Sequence, residues 1–100
     1  MKQILMGLFS LLFSLPLLAI DECVVLLHGL ARTSDSMNML ASQLENSGYR
    51  VANLDYPSRQ KTIEELAEPT ITQGLAACTD SPTVHFVTHS MGGILIRYYL

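Results

Sequence analysis

Toward the carboxyl end of the sequence, Thr88-His89-Ser90-Met91-Gly92-Gly93 joins a β-branched, apolar run (Thr83 to Thr88) to an apolar stretch with helical spacing (Met91 to Leu100). A serine between a strand and a helix, with small residues two and three positions on, has the form of a nucleophile elbow. In such an elbow the chain reverses within a few residues and holds the serine in a strained backbone conformation at the strand's carboxyl end. Gly92 and Gly93 have no side chains to keep the helix away from the strand. The Ser90 hydroxyl then projects into the crevice beyond the strand ends, where open α/β sheets bind ligands. The first amides of the following helix, at its positive dipole end, can stabilise an oxyanion. The chemistry served by this arrangement is attack of a serine on an acyl carbon.

Such a serine has to be carried by a sheet, and the rest of the sequence reads as one. Cys23-Val24-Val25-Leu26-Leu27 is a continuous apolar run, as in a strand buried on both faces. After His28-Gly29-Leu30 and a polar loop, Thr33 or Ser34 is placed to cap a helix carrying Met37, Leu40, Ala41 and Leu44 on one face, which Gly48 stops. Tyr49 to Tyr56 reads as a second strand ended by Pro57, which supplies no ladder donor. Thr62-Ile63-Glu64-Glu65 has the capping-box form and opens a helix with Ile63, Leu66, Ala67, Ile71, Leu75 and Cys78 along one face. Pro69 is expected to kink or split it. The third strand leads to Ser90. Strand and helix in alternation imply right-handed βαβ crossovers and a parallel sheet covered by helices.

Composition narrows the classes of function. The chain has 100 residues, 49% hydrophobic, with six Lys and Arg against nine Asp and Glu. It is too apolar for a disordered tail, and it has no clustered positive footprint for nucleic acid. Lys2, the uncharged run Ile4 to Leu18 and the small Ala19 before Asp21 have the layout of a secretory signal peptide. The run is too short to span a bilayer. Cleavage after Ala19 leaves residues 20–100 exported, periplasmic or secreted, with no stable transmembrane span; an uncleaved anchor is the alternative. Export permits a disulfide. Neither Cys23 nor Cys78 has a second Cys or His a few residues away, so zinc spacing is absent. On the residues alone they read equally as a bridge or as two buried thiols.

Two motifs in order, Val24-Val25-Leu26-Leu27-His28-Gly29-Leu30 and Thr88-His89-Ser90-Met91-Gly92, each in its strand-end setting, resemble the α/β-hydrolases, and among them the bacterial lipases and esterases. Asp55-Tyr56-Pro57 sits where that family ends its next strand, and the resemblance covers about residues 23–100. Thr88 departs from the common Gly-x-Ser-x-Gly pattern, and Thr-x-Ser-x-Gly forms occur among lipases.

The resemblance implies a partial α/β-hydrolase fold with Ser90 as nucleophile. The backbone amides of Leu30 and Met91 form the oxyanion hole, His28 and Gly29 support its loop, and Thr88, His89, Gly92 and Gly93 build the elbow. It also sets the strands ending at His28 and at Ser90 side by side. Cys23 and Cys78 then lie near the amino-terminal edge of the sheet, which favours a disulfide between them. His89 is expected to point away from the acyl site. His85, between Val84 and Phe86, reads as a satisfied half-buried histidine, and Glu64, Glu65 and Glu68 as a solvated helix start. The family's acid and base follow the serine, in the order Ser, Asp or Glu, His. Met91 to Leu100 contains neither type. The expectation is therefore the amino-terminal portion of an exported serine hydrolase acting on small-molecule or lipid esters, without metal or dissociable cofactor. The alternatives are a catalytically incompetent truncated product or binding remnant, and an acyltransferase or thioesterase on the same fold.

Overall fold

Strand β1 (Glu22–Leu27) is buried from Cys23 onward, the environment its unbroken Val and Leu run demands. It lies between β2 (Arg50–Leu54) and β3 (Thr83–Thr88) in a parallel sheet of order β2-β1-β3. Parallel strands need crossovers, and helices supply them on both faces. The computed structural model describes residues 21–100, so the signal peptide expected over residues 1–19 lies outside the described residues. Among the described residues no helix is long and apolar enough to cross a membrane.

The two faces of β1 have separate cores. Cys23, Val25 and Leu27 pack with Ala52, Leu54, Leu66, Ala67, Ile71 and Leu95, under helices α2 (Ile63–Ala77) and α3 (Met91–Tyr99). Val24 and Leu26 pack with Met37 and Ala41, under helix α1 (Asn38–Asn46). Leu26, Leu27, Ile71 and Leu95 are fully buried. Each such side chain contributes about 1.5–3 kcal/mol through area removed from water, which makes β1 the strand that holds both layers.

The helix boundaries follow local chemistry. Thr33 caps a 3-10 turn (Ser34–Met37) that leads into α1, so the cap acts one turn earlier than an α-helical reading places it. Gly48, at φ 100°, ends α1. Its amide donates to the Glu45 carbonyl and that of Tyr49 to the Leu44 carbonyl, the paired bonds of a Schellman motif. Thr62 and Glu65 form the capping box at the start of α2. The split expected at Pro69 does not occur, and α2 runs unbroken through it. Pro69 faces solvent, where water can satisfy the carbonyl its missing N–H leaves free. The second strand is shorter than Tyr49 to Tyr56, because Asp55 and Tyr56 turn away to serve the loop beside β1.

Cys23 at the start of β1 and Cys78 at the end of α2 are bonded as a disulfide, with Cα atoms 5.8 Å apart. Both are buried. The bridge fastens α2 to the sheet at the end away from Ser90.

Candidate functional site

Ser90 occupies the junction between β3 and α3 with φ 55° and ψ −118°. Among the described residues the only other non-glycine at positive φ is Ala31. A side chain in this part of backbone space costs about 1–3 kcal/mol and persists only where neighbours fix it. The fixing contacts are visible. The His89 amide donates to the Leu27 carbonyl at 3.0 Å, tying the elbow to the central strand. The Gly92 and Gly93 amides donate to the carbonyls of His89 and Ser90. A Cβ on Gly92 would lie 2.7 Å from the Leu27 carbonyl oxygen, so α3 starts against β1 at a separation only glycine allows. Ser90 itself is exposed.

The loop after β1 lies directly beside this elbow. Leu27 is in register with Thr88 across the sheet, so the two strands end together. A Cβ on Gly29 would come within 2.7 Å of His89 Nδ1 and 3.4 Å of Ser90 Cβ. The His89 ring therefore rests on Gly29, and it lines a hollow with Arg32, Ser36 and Met37. The Arg32 amide closes a turn onto the Gly29 carbonyl at 3.1 Å, with Ala31 at φ 61° in its third position. The Ala31 amide donates to Ser58 Oγ at 2.9 Å. The Leu30 and Met91 amides, by contrast, have no protein acceptor among the described residues. One of these N–H groups is on the loop whose Gly29 meets the elbow and the other at the first position of α3.

His28 is fully buried and holds the loop from inside. Its Nδ1 is 2.9 Å from the Gly29 carbonyl, and its Nε2 accepts from the Tyr56 amide at 3.3 Å. Together these bonds set a neutral ring that donates from Nδ1. Asp55 Oδ1, 3.8 Å from Nε2, is a neighbour without a hydrogen bond; its carboxylate accepts instead from the Ser34 amide. With both nitrogens engaged, His28 has no capacity left to take a proton from Ser90. His85 is about half exposed and lies 2.7 Å from Glu22 across β1 and β3, edge-on to Tyr49.

No protein-family model, curated protein or solved structure matches the chain. Geometry alone therefore argues for the site. It brings Ser90, Gly29, Leu30, His89 and Met91 to one corner of the sheet, with Thr88, Gly92 and Gly93 forming the bend. It sets His28 beneath them. Cys23 and Cys78 are at the opposite end. No group of His, Cys, Asp and Glu suited to a metal occurs among the described residues.

Two supporting residues escape a reading of periodicity. Tyr56 is buried against His28, its hydroxyl donating to the His28 carbonyl. Burial raises its phenol above the ordinary tyrosine range. Ser58, 5% exposed, lies within a polar stretch that reads as an ordinary loop. Nothing in its sequence surroundings marks its hydroxyl as the acceptor for Ala31.

Proposed function

We propose that the protein is an exported serine hydrolase of lipase or esterase type with Ser90 as nucleophile. The observation that carries this reading is the Ser90 backbone, held at positive φ beside the loop of Leu30 and next to Met91, whose amides have no protein acceptor among the described residues. In this reading Ser90 Oγ attacks the ester carbonyl and passes its proton to a general base. The carbonyl oxygen becomes an oxyanion and accepts hydrogen bonds from the two amides. Collapse of the tetrahedral species expels the alcohol, reprotonated by the same base, and leaves an acyl-enzyme. Water then releases the carboxylic acid.

Each part of the surrounding structure has a task in this scheme. His28 is a positioning residue, because both of its nitrogens hold the Leu30 loop. Gly29 lets that loop approach Ser90 Cβ. The disulfide, at the far end of the sheet, fits the oxidising compartment that the signal-peptide layout implies. No general base or acid partner is assigned among residues 21–100.

The test is covalent labelling of the protein as its host produces it, with a fluorophosphonate. Its phosphorus takes the place of the acyl carbon, and fluoride leaves as Ser90 Oγ bonds. The expected result is one label on the wild type and none on Ser90→Ala. An unlabelled wild type with a cooperative unfolding transition would overturn the assignment.

A further inference from the structure

Two of the four arginines among the described residues lie at the same end of the sheet as Ser90. Arg32 follows β1 and Arg59 follows β2, both on loops at the carboxyl ends of the strands, where Ser90 also lies. Both line a groove of about 240 Å³ with Ala31, Tyr56, Pro57 and Ser58. Arg32 also lines, with Ser36 and Met37, the hollow that contains His89, the neighbour of Ser90.

The two loops are tied together. The Ala31 amide donates to Ser58 Oγ, the Arg32 amide closes its turn on Gly29, and the Gln60 amide closes another on Pro57. The backbones bearing both arginines are therefore fixed relative to each other. No carboxylate neutralises either guanidinium, since both ion pairs found among the described residues are made by histidines. The acids nearest along the chain are Asp35 for Arg32 and Asp55 for Arg59; Asp35 accepts from Asn38 Nδ2 and Asp55 from the Ser34 amide. Two uncompensated guanidiniums on a shared groove, in a protein of net charge −3, are arranged to receive an oxyanion. Each planar fork can donate two parallel hydrogen bonds to phosphate or carboxylate.

We propose that Arg32 and Arg59 form an oxyanion subsite beside Ser90, so that the favoured ester carries a phosphate or carboxylate on the portion lying along the loop after β1. The placement of the ester rests on the Ser90 reading above; the subsite itself rests only on the groove. An anion held there is oriented relative to the nucleophile, which lowers the entropic barrier to attack for that substrate over a neutral ester.

Two measurements on the protein as its host produces it keep the two readings apart. The first is binding of inorganic phosphate and of methyl succinate to Ser90→Ala, which needs no catalysis. Saturable binding is expected, weakened at least ~10-fold in Arg32→Gln/Arg59→Gln, as loss of charge-assisted bonds requires. Lys61→Gln, which removes a single positive charge from a residue outside the groove, is the control and retains binding. Phosphate preferred over the succinate monoester indicates a phosphoester group on the substrate; the reverse order indicates a carboxylate. No saturable binding, or an equal loss in Lys61→Gln, overturns the subsite. The second is the ratio of kcat/KM for p-nitrophenyl hemisuccinate over p-nitrophenyl butyrate. It is expected to fall at least ~10-fold in the double arginine variant. An unmoved ratio also overturns the subsite, whereas hydrolysis of the butyrate that survives Ser90→Ala overturns the nucleophile and leaves the binding result standing.

Discussion

Tyr56 and His28 clasp each other through both backbone and side chain. The Tyr56 hydroxyl donates to the His28 carbonyl, the Tyr56 amide donates to His28 Nε2, and the rings stack with centroids 4.1 Å apart at 13°. His28 follows β1 and Tyr56 follows β2, so the pair locks the carboxyl ends of neighbouring strands. His28 Nδ1 passes the constraint to Gly29, and so to the loop beside Ser90.

Replacing Tyr56 by Phe removes the hydroxyl and leaves a buried carbonyl without that donor. The expected loss at pH 8 is about 1–2 kcal/mol, read from urea unfolding midpoints. The pH dependence has a definite sign. Burial raises the Tyr56 phenol above its ordinary value of 10.0, so the folded state holds the proton to higher pH than the unfolded state. The stability this contributes is complete below the unfolded value and is lost as pH rises through the folded one. The gap between wild type and Tyr56→Phe therefore narrows from pH 8 to pH 11. A gap that stays constant over that range would contradict this account.

The Cys23–Cys78 bond joins residues separated by 55 positions. By the chain-entropy account, closing a loop of that size contributes about 4 kcal/mol, a large share of the stability of a small domain. Cys23→Ala/Cys78→Ala is expected to lower the unfolding free energy by an amount of that order. Thiol titration of the denatured, unreduced protein should find no free thiol. Two titratable thiols would show that the bridge does not form.

Gly92→Ala and Gly93→Ala separate a backbone clash from a side-chain one. A Cβ at position 92 meets the Leu27 carbonyl at 2.7 Å, and one at position 93 meets Thr88 Oγ1 at 3.2 Å. Only the first forces α3 off the central strand. Gly92→Ala should cost about 1–3 kcal/mol, as overpacking does, and reduce fluorophosphonate labelling. Gly93→Ala should cost less, because the Thr88 side chain can shift. Equal losses in the two variants would argue against close approach of α3 to β1.

Much of this architecture is legible in the residues. The Val and Leu run of β1, the capping box at Thr62 and the stop at Gly48 are local signals, and the structure forms all three. The pairing of Cys23 with Cys78 depends on which strands become neighbours, and it follows only once β3 is set beside β1. What periodicity does not carry is support from outside the motif. The Tyr56 ring under His28 and the Ser58 hydroxyl on Ala31 are contacts between loops 27 residues or more apart. At Pro69 the helix continues where a split is one of the two expected outcomes, for a different reason. Proline disrupts a helix through one missing bond and one clash, and on the solvent face of α2 the capping box and the buried Leu66, Ala67 and Ile71 outweigh both.

The strain at Ser90 can be measured without catalysis. At φ 55° and ψ −118° the unfavourable contacts come from Cβ, so Ser90→Ala keeps the strain while removing the hydroxyl. Ser90→Gly removes Cβ and relieves about 1–3 kcal/mol. Against that stands the extra freedom glycine gives the unfolded chain, about 0.5–1 kcal/mol. The difference favours glycine, and Ser90→Gly is expected to unfold at higher urea than Ser90→Ala, with the same m-value. Both variants lose the label. If the glycine variant is the less stable, the elbow is unstrained and the conformation of Ser90 reflects nothing beyond the turn it occupies. If it is the more stable, the fold holds a side chain where glycine would serve it better, and the hydroxyl is what that position retains.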